Sequence, residues 1–138
     1  MRRSLILSAV ALTSYTASAH AQGGSTLSSV AGTWVTESTV GPKDSVVARG
    51  LLTATADGKG WTLKYPGHDP IPVRVAASGG DSVVTEAGPY PSILRPGQTV
   101  TLLRIVAHFK GETMSGTFEA HYSSGAVLRG KTTAARKK

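Results

Sequence analysis

The chain has 138 residues, no Cys, 15 Lys and Arg against 8 Asp and Glu, and a formal net charge of +7. That length suits one domain with a modest core, and a chain without Cys has neither disulfides nor thiolate metal ligands to stabilise it. Its basic residues are scattered and mostly accompanied by acidic ones, with no basic patch interleaved with aromatics, so nucleic acid is not an expected partner.

The first element in chain order is Met1-Arg2-Arg3, then the apolar run SLILSAVALTSYTASA and the small-residue site Ala19-His20-Ala21. A basic start, a short apolar stretch and an Ala-x-Ala site read as a signal peptide over 1–21, cleaved after Ala21. Ser and Thr interrupt the run, which is shorter than the ~20 residues a spanning helix needs. Arg2-Arg3 also resembles a twin-arginine signal. The expected localisation is therefore export, to a periplasm or the extracellular space. Residues 22–30 read as a flexible small-residue leader, and 31–138 as a single β-barrel domain. Its basic tail, Arg136, Lys137 and Lys138, suits contact with an anionic surface.

From Gly32 onward, Val, Thr and aromatic residues alternate with period two between Gly, Pro and Asp turn signals. This pattern predicts strands at about 32–39, 45–56, 61–65, 71–77, 81–87, 98–110, 113–122 and 126–136. The fold class is all-β: a single antiparallel eight-stranded meander closed as a barrel, with a β-sandwich as the alternative. In TMSGTFEAHY, Met114, Gly116, Phe118, Ala120 and Tyr122 share one face. A two-residue Gly111-Glu112 turn then pairs Phe109 with Met114, Ile105 with Phe118 and Leu103 with Ala120. A three-residue Ser123-Ser124-Gly125 loop pairs Tyr122 with Ala126, Ala120 with Leu128 and Phe118 with Gly130. A register one residue away would turn Arg129 and Lys131 inward, so the alternation selects this pairing. Arg104, Glu119 and Arg129 then form an outer-face row. The turn at Asp57-Gly58-Lys59-Gly60 predicts Ala56 against Trp61, Ala54 against Leu63 and Leu52 against Tyr65.

The tripeptide Gly32-Thr33-Trp34 on the first strand of an eight-strand exported meander resembles the lipocalin and wider calycin pattern. The resemblance implies that Trp34 plugs the closed end of the barrel and that a basic residue of the last strand packs over it. Arg136 is the matching residue, at the end of the strand expected beside the first. The inward list mixes large side chains with Ala48, Gly50, Ala54, Gly116, Ala120 and Gly130, which suits either close packing or an open interior.

Candidate chemistry is sparse. In YPGHDPIP, His68-Asp69 sits between prolines; adjacent loop residues seldom aim at one point, and the pattern favours a rigid turn with Asp bonding to backbone. His108 and His121 lie on neighbouring strands but ~20 Å apart along the sheet, too far to share a metal. The proline-rich AGPYPSILRPG, with Tyr90, Ile93, Leu94 and Arg95, reads as a surface connection suited to a lid or a contact loop. Val47, Leu51 and Val127 face outward and leave room for an interface.

These features lead to an exported, non-enzymatic binding protein without cofactor or metal. It would hold a small apolar ligand in a barrel pocket lined by Trp61, Leu63, Tyr65, Ile105 and Phe118. The alternative is an extrinsic accessory or scaffold subunit docking on a membrane or envelope protein complex, for example an electron-transfer or light-harvesting one. That reading expects a filled interior and contacts through the proline loop and basic tail. A small hydrolase or isomerase using His68 and Asp69 stands a distant third.

Overall fold

Alternating Val, Thr and aromatic residues build nine antiparallel strands in a computed structural model that describes residues 27–138. They are β1 (Gly32–Val40), β2 (Ser45–Ala54), β3 (Trp61–Lys64), β4 (Ile71–Gly79), β5 (Ser82–Ala87), β6 (Tyr90–Pro91), β7 (Thr99–Lys110), β8 (Thr113–Tyr122) and β9 (Val127–Arg136). The signal-peptide reading of 1–21 and residues 22–26 of the leader lie outside the described residues.

Each strand except the short β6 pairs with neighbours on both sides, and β5 pairing with β7 joins the two ends of the sheet. The result is a closed eight-stranded antiparallel meander barrel, not a sandwich. β1 lies between β2 and β9, with Trp34 opposite both Leu52 and Arg136. Phe109 pairs with Met114, Ile105 with Phe118, Leu103 with Ala120, Phe118 with Gly130 and Ala120 with Leu128, in the expected register. On the outer face Arg104, Glu119 and Arg129 fall in one row, and Arg129 Nε lies 3.1 Å from Glu119 Oε2.

Three local expectations are corrected. The hairpin between β2 and β3 pairs Leu52 with Leu63 and Thr53 with Thr62, two residues away from the predicted register. Its loop is longer than four residues because Thr55 and Asp57 fold it. Gly58 N donates to Thr55 O, Asp57 Oδ1 accepts from Lys59 N, and the Trp61 indole donates to Thr55 O at 2.9 Å. A shift of two keeps every side chain on its face, so the inward set survives. Secondly, the leader is not mobile to its end: Leu27–Val30 form a helical turn, and Val30 is only 2% exposed.

The third correction concerns the proline segment, part of which is strand. Tyr90 opposite Val100 continues the register of Ala87 opposite Leu103, so β6 resumes β5 beyond Gly88-Pro89. Gly88 has φ +112°, and a Cβ there would stand 2.8 Å from Thr101 O, so only glycine lets the chain lie this close to β7.

The core is one cluster inside the barrel. Small inward residues serve packing within it. Gly130 lies under the Phe118 ring, where an added Cβ would come 2.6 Å from Cε1 and would also strike Thr39 O. The Tyr65 ring covers Gly50 in the same manner. Phe118 is buried and Leu128 packs against the cluster from a partly buried position.

Candidate functional site

The two ends of the barrel differ. Its closed end is built around Trp34, which is fully buried and donates its indole N–H to Val30 O at 2.9 Å. Phe109 meets it edge-on, with ring centroids 5.0 Å apart. Arg136 lies over the Trp34 ring, its Cζ 4.5 Å from the ring centroid. The guanidinium donates to Ala31 O at 2.5 Å and Ser29 O at 2.7 Å. Its Nε stands 2.9 Å from Glu112 Oε2, an ion pair rather than an aligned hydrogen bond. One side chain of the last strand thus clamps the helical turn, the first strand and the β7–β8 turn. Arg136 is therefore engaged in closure, and of the basic tail only Lys137 and Lys138 are exposed.

The interior is nearly filled. Trp61, Leu63, Tyr65 and Ile105 line one cavity of about 30 Å³, together with Thr36, Ser38, Thr85 and Thr132. Tyr65, Ile105 and Phe118 line a second of about 40 Å³, nearer the open end, with Tyr90 and Tyr122. The five expected pocket residues are thus divided between two small spaces. A cavity of 10–15 Å³ on this measure already holds a water, whereas binding pockets for drug-sized molecules run to roughly 300 Å³ or more. The lumen has room for a water or two. Burial, and after it the neighbouring Tyr122, pushes the Tyr65 phenol up to about 12; burial raises Tyr90 as well.

The open end is capped by the proline segment, and its backbone is tied down. Ser92 N donates to Gln98 O at 2.9 Å, Gln98 N to Arg95 O at 3.1 Å, and Arg95 N to Ser92 Oγ at 3.0 Å. Arg95 stacks on the Tyr122 ring, Cζ 4.5 Å from its centroid. A cation over a tyrosine face contributes about 0.5–1 kcal/mol at a partly exposed site. Ile93 packs against the core while Leu94 remains 38% exposed. Tyr90 is half-buried and forms part of β6.

Open space lies outside this cap. One groove of about 400 Å³ runs between Val46–Arg49 of β2 and Tyr65, Pro66, His68, Ile93 and Leu94. Another, of about 240 Å³, joins His68 to Pro72 with Tyr90, Pro91 and Ile93. The sequence pointed to the proline loop and, through Val47, to an outward face of β2, but not to Pro66 opposite it. Val47 is half-buried and lines the inner cavity as well as the groove. The adjacent pair Val46-Val47, which breaks the period-two alternation, was the available signal, and Val46 is 42% exposed.

The remaining polar candidates stay dispersed. His68 and Asp69 are exposed, and the other residues lining their groove carry neither a Ser hydroxyl nor a thiol. His68 is held through its backbone: its N–H donates to Tyr65 O, and its carbonyl accepts from the Lys64 ammonium. His108 pairs with Ser115 and contacts Ser82 Oγ at 2.9 Å, while His121 contacts Glu119 Oε1 at 2.6 Å. Ser82 and Asp81 both approach His108 through the same ring nitrogen, Nδ1, so they form no relay through the imidazole. Among the described residues no group of three His, Cys, Asp or Glu side chains converges on one point. No family model, curated protein or solved structure matches the chain.

Proposed function

We propose that this protein is an exported, non-enzymatic accessory subunit that docks on a membrane or envelope protein complex through the capped end of its barrel. One observation carries the reading: the lumen is reduced to cavities of about 30 and 40 Å³, while grooves of about 240 and 400 Å³ flank Ile93 on the outside. A carrier must keep a pocket for its cargo, whereas a docking subunit gains rigidity from a filled core. The hydrogen-bonded proline segment supports the same reading, because an already ordered loop loses little entropy on binding. The tail adds little to that contact. β9 begins at the open end and finishes with Arg136 at the closed end, so Lys137 and Lys138 point away from the capped face.

Kinship with the lipocalin-like barrels belongs to this proposal too, supported by Trp34 buried under Arg136 at the closed end. In a small-ligand reading, the side chains of the core have to move aside before anything larger than water enters.

The test is purification of the protein from its own host's envelope in mild detergent, followed by native mass spectrometry. The expected result is a complex of fixed stoichiometry that the double variant Ile93→Asp, Leu94→Asp fails to join while keeping its β-sheet circular dichroism. A bare barrel retaining a small molecule would instead return the function to ligand carriage.

A further inference from the structure

The barrel is closed, yet one of its strands has an unpaired edge. β2 spans Ser45–Ala54 and pairs with β1 from end to end except at Val47, the extra residue of a bulge, but β3 reaches only Leu51–Thr53 on the other side. The reason lies in the sequence Tyr65-Pro66-Gly67-His68. Its Gly67 has φ +77° and its His68 N–H donates to Tyr65 O at 3.1 Å, a turn with Pro second and Gly third. That turn carries the chain away just where a longer β3 would continue along β2. Among the described residues no strand takes up the outward backbone groups of Ser45–Arg49.

An exposed edge normally carries protection such as inward charges, proline or a covering loop. This edge reads Ser45-Val46-Val47-Ala48-Arg49, with Val46 exposed and a bulge against β1 at Ser38/Thr39 as its one irregularity. The β3–β4 turn and the proline cap do not cover it. They stand opposite and leave the groove of about 400 Å³, walled by Val46–Arg49 on one side and by Tyr65, Pro66, His68, Ile93 and Leu94 on the other.

We infer that this edge is a strand-addition site for an extended segment of a partner protein, with apolar side chains at alternate positions and acidic ones between. The inference rests on the docking reading and names how the contact is made. Backbone groups of Ser45–Arg49 supply ladder hydrogen bonds, and every second side chain of the incoming strand enters the apolar groove. Charge selects the remaining positions. Lys43 and Asp44 precede the edge, Asp44 already paired with Lys131 at 3.5 Å. Lys64 lies across from Leu51, with its ammonium donating to Tyr65 O and His68 O. Arg49 sits on the edge itself, paired with Glu37 at 3.1 Å, so the balance of charge along the edge is basic. A second copy of this chain would meet this edge with the same basic balance instead of an acidic one.

The test follows backbone amide exchange of the isotopically labelled protein with a capped peptide of alternating Val and Glu, three of each. The expected result is exchange slowed by on the order of tenfold or more at Ser45–Arg49, and little change elsewhere. A Val-Lys peptide binds more weakly, and a Val-Glu peptide N-methylated at alternate residues loses the protection. Unchanged exchange at the edge, or equal binding by the N-methylated peptide, overturns the inference. Edge protection that grows with protein concentration and needs no peptide also overturns it, in favour of self-association. If Ile93→Asp, Leu94→Asp releases the host complex while edge exchange is identical in and out of that complex, docking stands and strand addition fails.

Discussion

Arg136 of the last strand lies over Trp34 of the first, 4.5 Å from Cζ to ring centroid, and the two residues are also direct partners in the β1–β9 ladder. Pairing of the first strand with the last and closure of the barrel end therefore rest on the same two residues. The guanidinium satisfies two carbonyls of the chain entering the barrel, Ser29 O and Ala31 O, while its planar face covers the indole. Arg136→Ala leaves those acceptors without their donor and uncovers the ring, and should lower stability by about 2–4 kcal/mol. Arg136→Lys keeps the charge but cannot fork to both carbonyls, and should recover about half of that loss. Urea unfolding at unchanged m-value measures both; equal stability of Arg136→Ala and the parent would refute the closure role.

Gly130 and Phe118 face each other across β8 and β9, and the ring occupies the space a side chain would take. Gly130→Ala should cost about 1–3 kcal/mol through overpacking. Adding Phe118→Leu removes the ring clash but not the one with the Thr39 carbonyl. The pair should therefore be non-additive by roughly 0.5–3 kcal/mol while staying less stable than Phe118→Leu alone. Denaturation of the four proteins of the cycle settles it, and strict additivity would mean that the ring does not rest on Gly130.

The way these contacts could be anticipated depends on parity. Met114 through Ala134 alternate so strictly that one register alone kept Arg129 and Lys131 out of the core, and the structure has that register. The β2–β3 hairpin obeyed the same parity rule, yet parity is blind to a shift of two. The deciding contacts, Trp61 to Thr55 O and Asp57 to Lys59 N, belong to the loop. β6 was hidden because proline argues against a strand, although two residues at the edge of β7 tolerate it. The filled lumen was equally illegible. Gly50 and Gly130 as sequence symbols suit an empty barrel or a packed one, and only the placement of the Tyr65 and Phe118 rings over them decides.

Glu119 sits on the outer face between His121 and Arg129. The hydrogen bond from His121, then the one from Arg129, holds its carboxyl below the ordinary glutamate value of 4.5. A depressed carboxylate contributes its stabilisation above the unfolded value and loses it as pH falls through the folded one. Carbon-detected titration of the Glu119 side chain should therefore give a midpoint under 4.5. His121→Ala and Arg129→Ala should each raise that midpoint. An unshifted Glu119 would mean that the row is solvated rather than paired, and then it would contribute nothing against slipped registers.

At the other end of the pH scale, the buried phenols of Tyr65 and Tyr90 should act together, Tyr90 being raised the further of the two. The Tyr65 value rises from 10.0 to about 12 because burial penalises the phenolate, with Tyr122 adding to the effect. The folded state then holds its proton after the unfolded state has released it. Stability is complete below pH 10.0, falls as pH rises from there, and the loss due to Tyr65 is full by about pH 12. A shift of that size corresponds to roughly 2–3 kcal/mol. Tyr90, raised in the same direction by its own burial, steepens the fall. Tyr65→Phe keeps a ring over Gly50 and removes only the titrating group. It should match the parent near neutral pH and exceed it in alkaline urea unfolding, with phenolate absorbance of the folded parent delayed to the same range. An identical alkaline slope in Tyr65→Phe would place the titration elsewhere and imply that water reaches this phenol inside the barrel.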